Sequence, residues 1–166
     1  IGGTNSRFAR VEIDSLSRLT LSPPVVFPTW SEDVESFDGL LDQYSANRPN
    51  GWPDLEGYDA LSVAIAGAVN GMKATLPNIP WDIDLDVSQR IDRAFDLNDF
   101  VAQASGFMDP NVFDRMHLVR SGSAASRGNI AIVGAGTGLG HAALYPENGR
   151  RIVITSEAGH MSCACK

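Results

Sequence analysis

Between residues 6 and 13 apolar and polar positions alternate, the period of a strand. A second run over 19–27 is interrupted by Pro23-Pro24. Proline cannot donate to a ladder, so this run predicts an edge-like strand paired with the first. From Ser31 the period changes. Val34, Phe37, Leu40, Leu41 and Tyr44 fall on one helical face, with Glu32, Asp33 and Glu35 in a first turn where the helix dipole favours anions. Residues 49–57 are rich in breakers and read as a loop, and 58–66 is apolar and β-prone up to Gly67. A short strand is expected around 72–76, before the turn Pro77-Asn78-Ile79-Pro80-Trp81. Residues 84–94 carry a helical pattern, 95–98 a short strand and 100–107 another helix. After a mixed, glycine- and serine-rich stretch (108–129), the runs 130–133 and 141–145 predict a strand pair around a glycine loop. A further strand, 151–155, follows a turn at Asn148-Gly149. No internal repeat shows. The pattern predicts an α/β chain in two parts, 1–107 and 108–166, with a hinge near 106–110.

Two glycine–threonine loops stand at opposite ends of this pattern, Gly2-Gly3-Thr4-Asn5 and Gly134-Ala135-Gly136-Thr137-Gly138-Leu139-Gly140. Glycine lets backbone N–H groups turn toward an anion without a Cβ in the way, and threonine adds a hydroxyl donor. Either loop alone reads equally as a strand turn. With Asn98-Asp99 between them and Glu157 and His160 after, the two predict a clamp on nucleotide phosphates around an acid/base group, which suggests phosphoryl transfer.

Asp99 stands where a strand ends and a helix begins. A carboxylate there can take a proton from a hydroxyl nucleophile, or it can simply cap the helix. Glu157 and His160 bracket Ala158-Gly159; they suit neighbouring hydroxyls of a polyol, or an ordinary surface turn. His160 with Cys163 and Cys165 makes a partial metal set, but a structural zinc needs four ligands and no fourth is near, so no metal site is assigned. His117 and His141 are expected to pack or face solvent.

The formal charge of −7 argues against nucleic acid as the main partner, because phosphate binding along a duplex needs a basic stripe. No stretch approaches the ~20 apolar residues of a membrane span. Residues 1–10 are polar, glycine-rich and mildly basic, unlike a secretory signal. Cys163 and Cys165, one residue apart, suit a reducing compartment better than a disulfide. The expected location is the cytoplasm.

Four ordered segments carry a resemblance: Gly2-Gly3-Thr4-Asn5-Ser6-Arg7, Leu97-Asn98-Asp99-Phe100, Gly134 to Gly140, and Ser156-Glu157-Ala158-Gly159-His160. Together they resemble the bacterial-type glucokinases of the hexokinase/actin-like ATPase superfamily. Ala64-Ile65-Ala66-Gly67-Ala68-Val69, then Asn78 and Trp81, fit the intervening pattern. The resemblance implies an actin-like, ribonuclease H-like α/β domain with a mixed sheet, followed by the start of a second α/β domain. It implies ATP-dependent phosphorylation of glucose or a similar hexose, the first step of glycolysis, with ATP and Mg²⁺ as cofactors. By it, Gly2, Gly3, Thr4 and Asn5 form one phosphate loop and Gly136, Thr137 and Gly138 the other. Asp99 matches the base that takes the proton of the sugar's 6-hydroxyl, which moves the reading of Asp99 from cap to base. Asn78, Asn98, Glu157 and His160 match positions that hold sugar hydroxyls.

The sequence departs from the family in three places. The family's strand ending in aspartate before position 1 is missing here, the family continues well past His160, and 161–165 differs from the usual continuation. The chain thus resembles the N-terminal half of a sugar kinase clipped at both ends. Alone it is expected to be inactive, and to need a separate chain carrying the remaining half or to self-associate, for instance as a homodimer. A non-catalytic, regulatory relative or an inactive piece of a ROK-type sugar kinase is the alternative implied.

Overall fold

The first two alternating runs fold back on each other. Strand β1 (Asn5–Phe8) pairs antiparallel with β4 (Val25–Pro28), Ser6 opposite Phe27, and β2 (Val11–Ile13) pairs with β3 (Leu19–Leu21), Val11 opposite Leu21. Between the two stretches Arg10 N–H donates to Ser22 Oγ at 2.8 Å and Ser22 N–H to Arg10 O at 2.9 Å. These bonds keep the ribbon closed just before the two prolines, which have no N–H to give. The computed structural model describes residues 1–16, 18–76, 79–85, 90, 93–123, 128–135 and 139–156.

Helix α1 (Phe37–Asn47) buries the predicted face, Phe37, Leu40, Leu41 and Tyr44. It begins later than the acidic run suggests. Ser36 is its N-cap, with Oγ accepting from Gly39 N–H at 3.0 Å. Upstream of it, Ser31 and Val34 form an isolated β-bridge. Glu32, Asp33 and Glu35 therefore precede the helix, and Asp38 is the acidic residue of its first turn. The serine cap satisfies an orphan amide that the carboxylates were expected to favour electrostatically. Tyr44 stacks on Phe8 of β1 with ring centroids 5.1 Å apart, tying the helix to the ribbon.

At the C-terminal end of α1, Ser45 Oγ donates to Asp54 Oδ1 at 2.6 Å, and Leu55 N–H donates to the same oxygen at 2.8 Å. Arg48 lies 3.3 Å from the other oxygen. The Ser45 hydrogen bond, then the Leu55 amide, and more weakly Arg48 and Arg90 hold the Asp54 carboxyl below its ordinary 3.8. A carboxyl depressed on folding stabilises the native state above its unfolded value and loses that contribution as pH falls through the folded value. Asp54→Asn is thus expected to lower the melting temperature at pH 7, with the gap to wild type closing as pH drops below 3.8. Thermal melts across pH 7 to 2 check this. An unchanged gap in acid would assign the loss to packing instead of charge.

The main core of the first part joins α1 to strand β5 (Leu61–Ile65), through Val63 and Ile65, and to Ala74, Leu76, Ile79, Trp81, Ile83 and Leu85. The last group comes from a small antiparallel sheet of β6 (Ala68–Asn70), β7 (Lys73–Thr75) and β8 (Ile83–Asp84) and its flanks. Strand β9 (Ala94–Asn98) then pairs parallel with β5, Ile65 beside Asn98. The helix expected over 84–94 does not occur in its described part. Asp84 belongs to β8 and Ala94 to β9; residues 86–89, 91 and 92 lie outside the described residues. Burial of Ile83 against the α1 core takes precedence over the local helical pattern.

Two compact units divide at Asn98/Asp99, ahead of the hinge expected near 106–110. The reason is helix α2 (Asp99–Gly106), which packs on strands of the second unit. That unit holds an antiparallel sheet of β10 (Ile130–Ala135), β11 (Leu139–Glu147) and β12 (Arg150–Ser156). The turn from β11 to β12 takes positive φ at both Asn148 (48°) and Gly149 (80°). That is the hairpin turn an Asn-Gly pair favours. A short 3₁₀ stretch, Pro110–Arg115, follows α2. No described helix is long and apolar enough to cross a membrane.

Candidate functional site

Parallel strands have equivalent ends, and ligands in open α/β sheets collect outside the carboxyl ends. Here those ends are Ile65 of β5 and Asn98 of β9. The first glycine loop starts at the same place. The Ile1 nitrogen donates to Ala64 O at 2.5 Å, and Ala66 N–H donates to Ile1 O at 2.9 Å. A residue bonded to both neighbours of Ile65 in this way lies beside β5 as a parallel strand residue does. Gly2 N–H then closes the turn on Asn5 O at 3.1 Å. On the other flank of β5, Asn98 Nδ2 donates to Gly67 O at 3.2 Å. A Cβ on Gly67 would lie 2.3 Å from the backbone oxygen of Thr75, so that crossing of the chain needs glycine. The unit thus sets Ile1, from which the first glycine loop departs, and Asn98 on the two flanks of the Ile65 end of β5, and Asn98 also braces the neighbouring backbone.

Asp99 opens α2 in the second unit. It is half-buried, and Oδ1 accepts from Phe100 N–H at 2.9 Å. That bond is a local one to the next amide. The other carboxylate oxygen has no bond among the described residues, so Asp99 keeps an acceptor available while its orientation is held.

The second glycine loop is framed by strands. The β10–β11 ladder runs through Gly134 opposite Gly140 to Ala135 opposite Leu139, placing both flanking glycines in strands rather than in the loop. Their partner is Phe100. Its ring lies over both, since a Cβ on Gly140 would come 1.8 Å from Phe100 Cε2 and one on Gly134 2.7 Å from Cζ. Behind it Ala104 of α2 is fully buried with Ile132, Ala142 and Leu144 of the sheet. Asp99 is therefore one residue from a ring seated at the base of the second loop. His141, next to Gly140, is half-buried, and its Nδ1 is buried without a partner among the described residues.

Asn78, Gly136, Thr137, Gly138, Glu157, His160, Cys163 and Cys165 lie outside the described residues. Among the described ones, no three His, Cys, Asp or Glu side chains gather to hold a metal ion. Sequence reasoning missed Phe100 and Thr29, each of which touches a glycine loop. An aromatic directly after the candidate base was the one available signal for Phe100. For Thr29 the signal was the ladder register, which brings the end of the second run to the start of the first.

The sequence model of the family described as Glucokinase matches residues 1–166. The chain is 31% identical over 170 residues to a glucokinase of Caulobacter vibrioides, covering 99% of this chain and 48% of that protein. Among solved structures it is similar to a glucokinase from an Antarctic psychrotroph, with TM-score 0.73 and 28% identity, over 100% of this chain and 51% of the other. A glucokinase from Balamuthia mandrillaris in complex with glucose gives TM-score 0.72 at 17% identity over 99% and 48%, a likeness of fold. The chain spans about half the length of these glucokinases.

Proposed function

Because the chain belongs to the glucokinase family, we propose that the full-length protein transfers the γ-phosphoryl group of ATP to the 6-hydroxyl of glucose, with Asp99 as general base. The observation that carries this reading is the meeting of the start of the first glycine loop and the Asn98 end of β9 at one strand terminus, directly before Asp99.

In the proposed reaction the half-buried Asp99 carboxylate accepts the proton of the 6-hydroxyl as that oxygen attacks the γ-phosphorus. The bond to the β,γ-bridging oxygen breaks and ADP leaves. The Phe100 N–H occupies Oδ1, so the proton goes to the other oxygen. Phosphoryl transfer asks the protein mainly for positioning and charge neutralisation, which suits backbone donors on glycine loops better than further nucleophiles. Gly2, Gly3, Thr4 and Asn5 take one side of the phosphates in this reading, and Gly136, Thr137 and Gly138 the other. Mg²⁺, when bound with the nucleotide, would supply neutralisation of the phosphate charge. Asn78, Asn98, Glu157 and His160 are assigned to the sugar hydroxyls. The finer fold assignment, a ribonuclease H-like domain of the actin-like ATPase type, belongs to the same proposal, as does a cytoplasmic site of action.

The experiment is a turnover panel on the full-length protein with ATP and Mg²⁺. Glucose is expected to be the best substrate, with mannose or another hexose second. Analogues lacking a bound hydroxyl should lose up to ~10⁴-fold in kcat/KM, because each leaves buried polar groups unpaired. Equal rates for glucose and its 2-, 3- and 4-deoxy analogues would refute the sugar site. Absence of ATP-dependent turnover on any hexose would refute the kinase reading.

A further inference from the structure

We propose that Thr29 sets the conformation of the first glycine loop, a positioning role toward the phosphates that rests on the kinase reading above. Thr29 follows β4 directly and is fully buried, as is Ser6 across the ladder. It grips the loop through two carbonyls. Its backbone N–H donates to Thr4 O at 3.0 Å, and its hydroxyl donates to Gly2 O at 2.6 Å. Ser6 Oγ lies 2.9 Å from the same hydroxyl. A threonine hydroxyl has one proton. With that proton on Gly2 O, Ser6 is the donor of the second bond, and the Thr29 oxygen is satisfied as donor and as acceptor.

The consequence follows from the planar trans peptide, in which a carbonyl and the next N–H point in opposite directions. Holding Gly2 O and Thr4 O toward Thr29 turns the Gly3 and Asn5 N–H groups away from the atoms of Thr29 that hold those carbonyls. The Gly2 N–H is already engaged with Asn5 O at 3.1 Å. Thr29 thus decides which loop amides are presented away from it, and backbone amides presented in this way are donors that an oxyanion of a phosphate can accept from. Packing does not require the hydroxyl, since valine has the same shape. The direct work of the Thr29 hydroxyl is on Gly2 O and Ser6.

The test compares Thr29→Val, Thr29→Ser and Ser6→Ala in the full-length protein. Dissociation constants for MgADP and for glucose are measured by calorimetry, beside kcat, the KM values and thermal melts. Thr29→Val is expected to weaken MgADP and raise the KM for ATP by about 10-fold, the scale of one lost buried hydrogen bond, with glucose affinity unchanged. Thr29→Ser keeps the hydroxyl and should return both to within about threefold of wild type. Ser6→Ala, which leaves the Gly2 contact in place, should shift them in the same direction by less. Should Thr29→Val fail to fold, the proposal rests on the serine and Ser6→Ala variants, and unaltered nucleotide affinity in Ser6→Ala would overturn it. A folded Thr29→Val with wild-type MgADP affinity and KM for ATP overturns it too, as does a serine variant impaired as badly as valine. The kinase reading fails separately, through absent turnover in a wild type that still binds MgADP; Thr29 is then judged on the binding ratios alone. A wild type that binds no MgADP overturns both.

Discussion

Asp99→Asn in the full-length protein is expected to lower kcat for glucose by about 10²–10⁴-fold, the usual contribution of a general base. Glucose affinity and the melting temperature should stay near wild type. Asparagine keeps the shape of aspartate and an oxygen able to accept from Phe100 N–H, so the start of α2 is preserved. What disappears is the basic oxygen on the other side of the carboxylate. The alternative reading, in which Asp99 only caps α2, predicts a different split. Asparagine caps about as well as aspartate, so on that reading Asp99→Asn keeps both stability and turnover, while Asp99→Ala loses about 0.5–2 kcal/mol of stability with turnover retained. Parallel measurement of kcat and of the unfolding midpoint separates the two outcomes. Unchanged turnover would remove Asp99 from the mechanism.

The second large effect is expected at Gly140. Replacing a strand-interior glycine by alanine ordinarily stabilises a protein slightly, because glycine loses more backbone freedom on folding. Here the sign should reverse. A Cβ on Gly140 would stand 1.8, 2.2 and 2.3 Å from Cε2, Cζ and Cδ2 of Phe100. Relaxed carbon contacts lie near ~3.5–4 Å. The ring cannot retreat freely, since α2 is anchored on the sheet by the fully buried Ala104. Overpacking of this kind costs about 1–3 kcal/mol, and the displaced ring adjoins Asp99, so turnover should fall as well. Phe100→Ala empties the slot. The double variant Phe100→Ala/Gly140→Ala should therefore be less destabilised than the sum of the single variants, with a coupling of about 0.5–3 kcal/mol. Denaturant unfolding of the four proteins closes the cycle. Additive losses would mean the ring does not occupy that slot in solution.

Local rules were enough for a good part of the molecule. Alternation over 6–13 and 19–27 is seen as the β1–β4 and β2–β3 pairings. The 3.6-residue spacing of Phe37, Leu40, Leu41 and Tyr44 is the buried face of α1. Asn148-Gly149 is the turn between β11 and β12. The placement of Asp99 between a strand and a helix was equally legible. Each of these depends on periodicity, turn chemistry or the order of residues within a few positions, and such information is written along the chain.

Contacts across the chain settled the rest. The acidic run at 32–35 looked like a first helical turn, but the Ser36 cap and the Ser31–Val34 bridge start α1 later. The unit boundary moved to Asn98/Asp99 because α2 packs on β11 and β12, which lie far downstream. Gly134 and Gly140 read as parts of a phosphate loop, yet the folded chain uses them to seat Phe100. Thr29 carried no motif at all. By itself the sequence determined the paired runs of the first ribbon, the buried face of α1 and the β11–β12 turn, and that the chain belongs to the glucokinase family. Only the tertiary structure decided that a hydroxyl 27 residues from Gly2 would hold its carbonyl. A hydrogen bond or a ring in a slot depends on two backbones meeting within a few ångströms, and no local spacing encodes that meeting.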